Sequence, residues 1–178
     1  MLYLTPYFRL THEEHRALLA LRNQEAILRY TPTQKEIAFN DHLAWVETLK
    51  NNDDTLYLAL KKDQIMQGAI HANAIKSHTP SWGLFFNPTT SPLVTSAVAL
   101  FFLDTLFNQY RACHVKSFVH VENSPALKFN ERLGFKMRDT QPSSFCTMAL
   151  SHEVWQMKKN SKLFQPILKT ASQLTIRN

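Results

Sequence analysis

Cysteine is nearly absent: Cys113 and Cys146 are the two in a chain of 178 residues. Two thiols cannot staple a domain of that length, and they stand at no metal-ligand spacing, which excludes a disulfide scaffold and a zinc module. Long apolar runs are missing as well. The longest, AVALFFL from Ala97 to Leu103, is too short to span a bilayer and stops at Asp104. The opening MLYLTPYFRLTHEEH is interrupted by charge before any apolar run develops, so no signal peptide is read there. Internal repeats, low-complexity stretches and zinc-finger, RNP-like or heptad patterns are not found. What the chain does have is apolar bulk. A hydrophobic share of 44% with 12 Phe, 5 Tyr and 3 Trp excludes a disordered chain. The expectation is one soluble domain in a reducing, cytoplasmic compartment, with no metal and no membrane partner.

The formal net charge is +6, which invites a nucleic-acid reading. Its distribution argues against one. From Ser151 to Asn178 there are five basic residues (Lys158, Lys159, Lys162, Lys169, Arg177) against Glu153 alone, while residues 1–150 carry 15 basic and 13 acidic groups. A mildly basic body with a basic tail attracts any polyanion, a coenzyme phosphate included. No nucleic-acid partner is expected.

Periodicity sets out the elements. LYLTPYFRL reads as an edge strand interrupted by Pro6, and Thr11 with Glu14 makes a capping box for a helix that runs towards Tyr30. Phe39, Leu43, Val46 and Leu49 give a second helix one apolar face. After the turn Asn51-Asn52-Asp53-Asp54 come three strands, TLYLALKK, IMQGAIHANAIK and SWGLFF. LVTSAVALFFLDTLFNQY is a helix apolar almost all round, which predicts burial across a sheet. HVKSFVHV alternates as a strand, SPALKFNERL is a short helix closed by Gly134, and strands around KMRDT and FCTMALS complete the body. The fold class is therefore α/β: a mixed, mostly antiparallel central sheet of about seven strands flanked by four helices. Residues 1–157 form the domain and 158–178 a basic tail, either helical with a kink at Pro166 or disordered.

Ser91-Pro92 and Ser124-Pro125 each place a hydroxyl N-cap before a proline. Helix starts of this kind offer free N–H groups and a positive dipole end, which suits a phosphate.

The segment Asn123 to Phe135, NSPALKFNERLGF, resembles the N-x-x-A/S…G-F signature of the GNAT acetyl-CoA-dependent N-acetyltransferases. WGLFFNP resembles that family's fourth strand, and the element order matches the GNAT fold from about residue 2 to residue 157. ALRNQEAILRYTPTQKEIAFNDHLAWVETL, with Arg22-Asn23 and then His42 and Trp45, resembles the branch that acetylates the 4-amino group of a UDP-linked deoxyamino sugar in pseudaminic acid synthesis.

The resemblance implies acetyl-CoA as co-substrate, a small-molecule amine as acceptor and direct attack in a ternary complex, and it leaves a homodimer open. It implies a bulge in the fourth strand that aims the N–H groups of Phe85 and Phe86 at the acetyl oxygen. Pyrophosphate falls on the amides of Val94, Thr95, Ser96 and Ala97, and the pantetheine arm on Asn123. The resemblance also implies that Arg22 binds a nucleotide phosphate, and His42 and His71 are expected on the acceptor. Glu122 is a candidate base through a bridging water, and His42, His71 and His120 are further candidates because imidazole titrates in the required range.

Two positions depart from the family pattern. The phosphate loop usually carries two glycines, and Ser91-Pro92-Leu93-Val94-Thr95-Ser96 carries none. Asn130 stands where many members place a tyrosine acid; it is expected at the cofactor and the reacting centre as a hydrogen-bond donor, although an amide cannot supply a proton at neutral pH. Two alternatives therefore stay open beside the amino-sugar enzyme: a ribosomal-protein-type N-terminal acetyltransferase, and a GNAT-fold module that only binds or regulates.

Overall fold

Thr11 opens the first helix as its sequence predicts. Its hydroxyl accepts from Glu14 N–H at 3.2 Å and the Glu14 carboxylate accepts from Thr11 N–H at 2.9 Å, so the capping box is closed. This computed structural model describes residues 1–139 and 143–177. Its strands are β1 (Leu2–Pro6), β2 (Thr55–Lys62), β3 (Ile65–Asn73), β4 (Ser81–Phe86), β5 (His114–His120), β6 (Lys136–Asp139) and β7 (Phe145–Ser151). Its helices are α1 (His12–Arg22), α2 (Glu25–Leu28), α3 (Phe39–Leu49), α4 (Pro92–Asp104), α5 (Ser124–Leu133), α6 (His152–Lys159) and α7 (Gln165–Ala171).

The strands make one sheet in the order β1-β2-β3-β4-β5-β7-β6. All neighbours are antiparallel except β4 and β5, because α4 crosses over between them. Four helices were expected and seven α-helices are found among the described residues. The helix from Thr11 does not reach Tyr30. It stops at Arg22 because the Asn23 carboxamide turns to the Ile37 backbone, donating to its C=O at 3.0 Å and accepting its N–H at 3.1 Å. The expected long helix from Pro92 ends at Asp104 and continues as a π-helical turn over Thr105–Gln109.

Two cores lie on the two faces of the sheet. Leu58, Leu60, Ile70, Ala72, Trp82, Val115 and Val119 pack against α4, whose Ala97, Val98, Ala99, Leu100, Phe102 and Leu103 are all buried. The all-round apolarity of α4 thus reflects a central helix covered on both sides. On the opposite face Ala59 and Ala69 pack against Leu18 and Leu21 of α1 and Val46 and Leu49 of α3. His42 replaces Leu43 on the inner face of α3, where the expected stripe had Phe39 and Leu43.

The segment after Lys158 shares the larger core. Phe164, Ala171 and Leu174 are buried in it, and Pro166 sits in the first turn of α7, where its missing N–H costs nothing. Beyond α7 the backbone runs parallel to the edge strand β1: Leu4 N–H donates to Thr175 C=O at 2.9 Å and Arg177 N–H to Leu4 C=O at 2.8 Å. This covers an edge that would otherwise offer unpaired backbone.

Candidate active site

A parallel pair of strands that separates leaves backbone groups unspent. β4 and β5 pair only at Ser81↔Lys116 and Trp82↔Ser117, so the sheet opens from Gly83 onward. On its other side β4 stays in unbroken register with β3, from Asn73↔Ser81 to Gly68↔Phe86. The bulge expected in β4 is therefore not in that pairing; the register shifts instead between β2 and β3, where Leu60↔Gly68 is followed by Lys61↔Met66 and Gln67 of β3 is the extra residue. Asn87 N–H donates to Gln67 C=O at 2.7 Å and Lys116 N–H to Pro80 C=O at 2.9 Å. Alternation then turns odd-numbered residues of β4 towards β3 and even-numbered ones towards β5. The N–H groups that face the opening belong to Leu84 and Phe86. Phe85 instead spends its own in the β3 ladder, a correction to the expected Phe85–Phe86 pair.

The start of α4 borders the same opening. Ser91 caps it, accepting Val94 N–H on its hydroxyl at 3.3 Å and Thr95 N–H on its carbonyl at 3.1 Å. Ser96 and Ala97 lie deep enough to bond within the helix, and Pro92 has no N–H. Val94, Thr95, Ser96 and Ala97 therefore do not offer four free amides, contrary to expectation. Leu93 N–H is the free donor of the first turn, on a residue 47% exposed.

Across the opening, β5 runs into α5. The N-cap is Asn123 and not the expected Ser124: the Asn123 carboxamide oxygen accepts Ala126 N–H at 3.2 Å. Its Nδ2 is left to donate elsewhere. Asn130 is buried; its Nδ2 donates to Ala126 C=O at 2.9 Å, and its Oδ1 is sealed in without a partner among the described residues. Nδ2 is thus engaged on the helix backbone and not turned to a ligand as the expected donor, and an amide cannot act as an acid. Glu122 is exposed, and its backbone N–H donates to His120 Nδ1 at 3.2 Å.

The α1/α3 face carries the remaining candidates. The His71 ring lies flat on Tyr57, centroids 4.7 Å apart and planes 3° apart, and covers Gly83, where a Cβ would lie 2.6 Å from His71 Cε1. Tyr57 donates its hydroxyl to Asn73 Oδ1 at 2.9 Å, with Trp45 edge-on at 4.9 Å. Burial, and then the nearby Arg22 charge, push the His71 pKa down to about 4, so the imidazole is neutral and too weak a base to deprotonate an ammonium at pH 7. Arg22 is half-buried, and burial lowers its pKa. Its guanidinium makes no hydrogen bond or ion pair among the described residues, and Nη1 is sealed from solvent. His42 is a different case. Its Nε2 is bonded to His15 Nδ1 at 2.9 Å between α1 and α3, both rings being buried. His42 is thus an interior residue, not the acceptor contact expected of it. Tyr57, Asn73 and His15 were not singled out from sequence. The hairpin turn at Asp63-Gln64, which sets Tyr57 opposite His71, is the signal that could have found the first.

Among solved structures, the fold matches the Campylobacter jejuni N-acetyltransferase PseH with a TM-score of 0.69 at 20% identity, over 85% of this chain and 98% of that one. A nucleotide-linked sugar GNAT, FdhC, matches with a TM-score of 0.73 at 15% identity, over 89% of this chain and 90% of that one. The spermidine N-acetyltransferase of Vibrio cholerae, solved with CoA and spermine, matches with 0.69 at 16%, over 87% of this chain and 98% of that one. No curated protein matches the sequence. Likenesses at these identities carry the fold alone. The acetyltransferase (GNAT) domain family matches by sequence over residues 7–136, a span that holds the capped α1, the opening between β4 and β5 and the whole of α5, and the chain belongs to that family of acyltransferases.

Proposed function

We propose that the chain transfers the acetyl group of acetyl-CoA to the primary amine of an anionic, nucleotide-linked amino sugar, the 4-amino group of a UDP-linked deoxyamino sugar being the favoured acceptor. The neutral amine attacks the thioester carbonyl from the α1/α3 face; collapse of the tetrahedral intermediate breaks the C–S bond and expels CoA as the thiolate, which takes up the proton that the amine nitrogen gives up. The oxyanion that forms is met by the N–H groups of Leu84 and Phe86, which the separation of β4 from β5 leaves unpaired. Asn123 Nδ2 and Leu93 N–H are donors for the pantetheine and pyrophosphate portions.

The observation that carries the choice of acceptor is Arg22. A half-buried guanidinium whose Nη1 finds no acceptor among the described residues is costly unless an anion completes it. A phosphate oxygen does so, whereas a polyamine would need carboxylates there. Among the neighbours the nucleotide-linked sugar enzyme fits this better than the spermidine enzyme.

The test is acetyl transfer from acetyl-CoA to a UDP-linked 4-amino sugar, followed by thiol release. Arg22→Ala should raise the acceptor KM roughly 10- to 100-fold, the loss of a charge-assisted hydrogen bond, and leave acetyl-CoA binding unchanged. An unchanged acceptor KM would refute the anionic-acceptor reading.

A further inference from the structure

Continuing the register of Ser81↔Lys116 and Trp82↔Ser117 past the opening sets His120 opposite Phe85. The two residues stand on the same face of the sheet. Val115 and Val119 of β5 point into the α4 core, so His120 points the other way, to the side where Phe85 packs against the α1/α3 core. His120 is therefore on the acceptor side of the opening, on the bank across from His71.

Its ring is fixed on three sides. The Tyr30 ring lies 5.7 Å away, brought there by the segment that Asn23 ties to Ile37, and Phe145 stands edge-on at 5.1 Å. Glu122 N–H occupies Nδ1. A nitrogen that accepts a backbone N–H carries no proton, so the ring hydrogen belongs to Nε2. Nε2 has no partner among the described residues and is not among the sealed polar atoms. With Nδ1 spent on Glu122 N–H, His120 offers Nε2–H as a fixed donor on a ring that is 8% exposed.

Among the described residues, the donors around the site without a hydrogen-bond partner are Arg22, Leu84 N–H, Phe86 N–H and His120 Nε2–H, while the Tyr57 hydroxyl hydrogen is spent on Asn73. We propose that His120 is a specificity-determining residue whose Nε2–H donates to an oxygen beside the reacting amine, so that the acceptor is an oxygen-bearing amine of the vicinal amino-alcohol kind found on sugars. A protonated polyamine has no atom to accept such a bond. The proposal rests on the acceptor entering from the α1/α3 face, as in the reading above.

Two measurements test it. Two-bond 1H–15N NMR of the imidazoles should find His120 as the Nε2–H tautomer at neutral pH; an Nδ1–H tautomer or an imidazolium overturns the proposal. Kinetics with a UDP-linked 4-amino sugar should show the acceptor KM raised at least tenfold in His120→Phe, which keeps a ring between Tyr30 and Phe145. The acetyl-CoA KM should not move, and His120→Gln, which restores an N–H donor, should recover most of the loss. If Arg22→Ala raises the acceptor KM and His120→Phe does not, the proposal falls and the anionic-acceptor reading stands. If the wild-type enzyme acetylates spermidine and not the amino sugar, both fall.

Discussion

Two imidazoles in this chain have pKa values pushed down to about 4, and the surroundings of each give it a different task. His71 lies at the cleft, where neutrality keeps it from repelling Arg22. His42 lies between α1 and α3, lowered by burial and then by His15, to which it is bonded. The pair holds a single shared proton on the N···N axis and has no place for a second. His15 is itself lowered by burial and by His12, with Glu14 acting the other way. In the folded state His42 binds fewer protons than in the unfolded state between about pH 4 and the ordinary 6.5, and the lowered His15 acts in the same direction. Stability contributed by the pair is therefore fully present above pH 6.5 and is lost as pH falls from there towards 4. Urea midpoints followed from about pH 7.5 to about pH 4.5 should fall steeply for the wild type. His42→Gln, stable or not at neutral pH, should show a flatter slope. Equal slopes would mean that other groups carry the acid sensitivity. The role of His42 was not legible in sequence because its partner lies 27 residues away on another helix. Nothing in DHLAW announces that its ring turns inward.

The elements were more legible than their ends. The capping box at Thr11, the strand runs and the buried α4 all follow from local pattern, because each is decided by residues within one or two turns. Boundaries set by distant partners were not. Arg22 ends α1 because Asn23 finds Ile37, and residues 165–171 fold because α4 offers Ala171 and Leu174 a core to enter. The site shows the same division. The asparagine before α5 and the strand–loop–helix around Ser91 were readable, but which amides remain free depends on hydrogen bonds that only the folded backbone fixes. The glycine-free start of α4 makes this concrete. Ser91 satisfies Val94, so Leu93 N–H stands alone at the positive end of the helix. Leu93→Asp should stabilise α4 by about 0.3–1 kcal/mol through the dipole, while its carboxylate repels a pyrophosphate at the same place. A melting temperature equal to or above the wild type, with acetyl-CoA affinity down at least tenfold by calorimetry, is the expected pair of results. Undiminished affinity would mean that the phosphates do not use this turn.

At the scale of the whole molecule, charge bears on both substrates at once. The chain carries +6, much of it on the segment from Ser151 onward, which folds back onto the body. Lys158 stands beside Lys128 and Arg132 of α5, with Glu131 the acidic residue of that patch. Lys159 is spent on Asp104 and Lys61 on Glu14. An excess of this sign raises the local concentration of anions and lowers that of polycations, by an amount that salt screens within about 10 Å at 0.1 M. Acetyl-CoA is polyanionic, so its KM should rise as salt increases. The acceptor then supplies the discriminating sign. A nucleotide-linked sugar is also an anion, and its KM should rise with salt in parallel. A polyamine would instead be relieved of repulsion, and its KM should fall. Initial rates from about 25 to about 400 mM salt, with each substrate varied at saturation of the other, read the two slopes directly. A rising slope for both matches the Arg22 argument through the long-range field and not through contact, which makes it independent of the point variants. An acceptor slope that falls while the acetyl-CoA slope rises would place the cationic amine back in the cleft and remove the anion from Arg22.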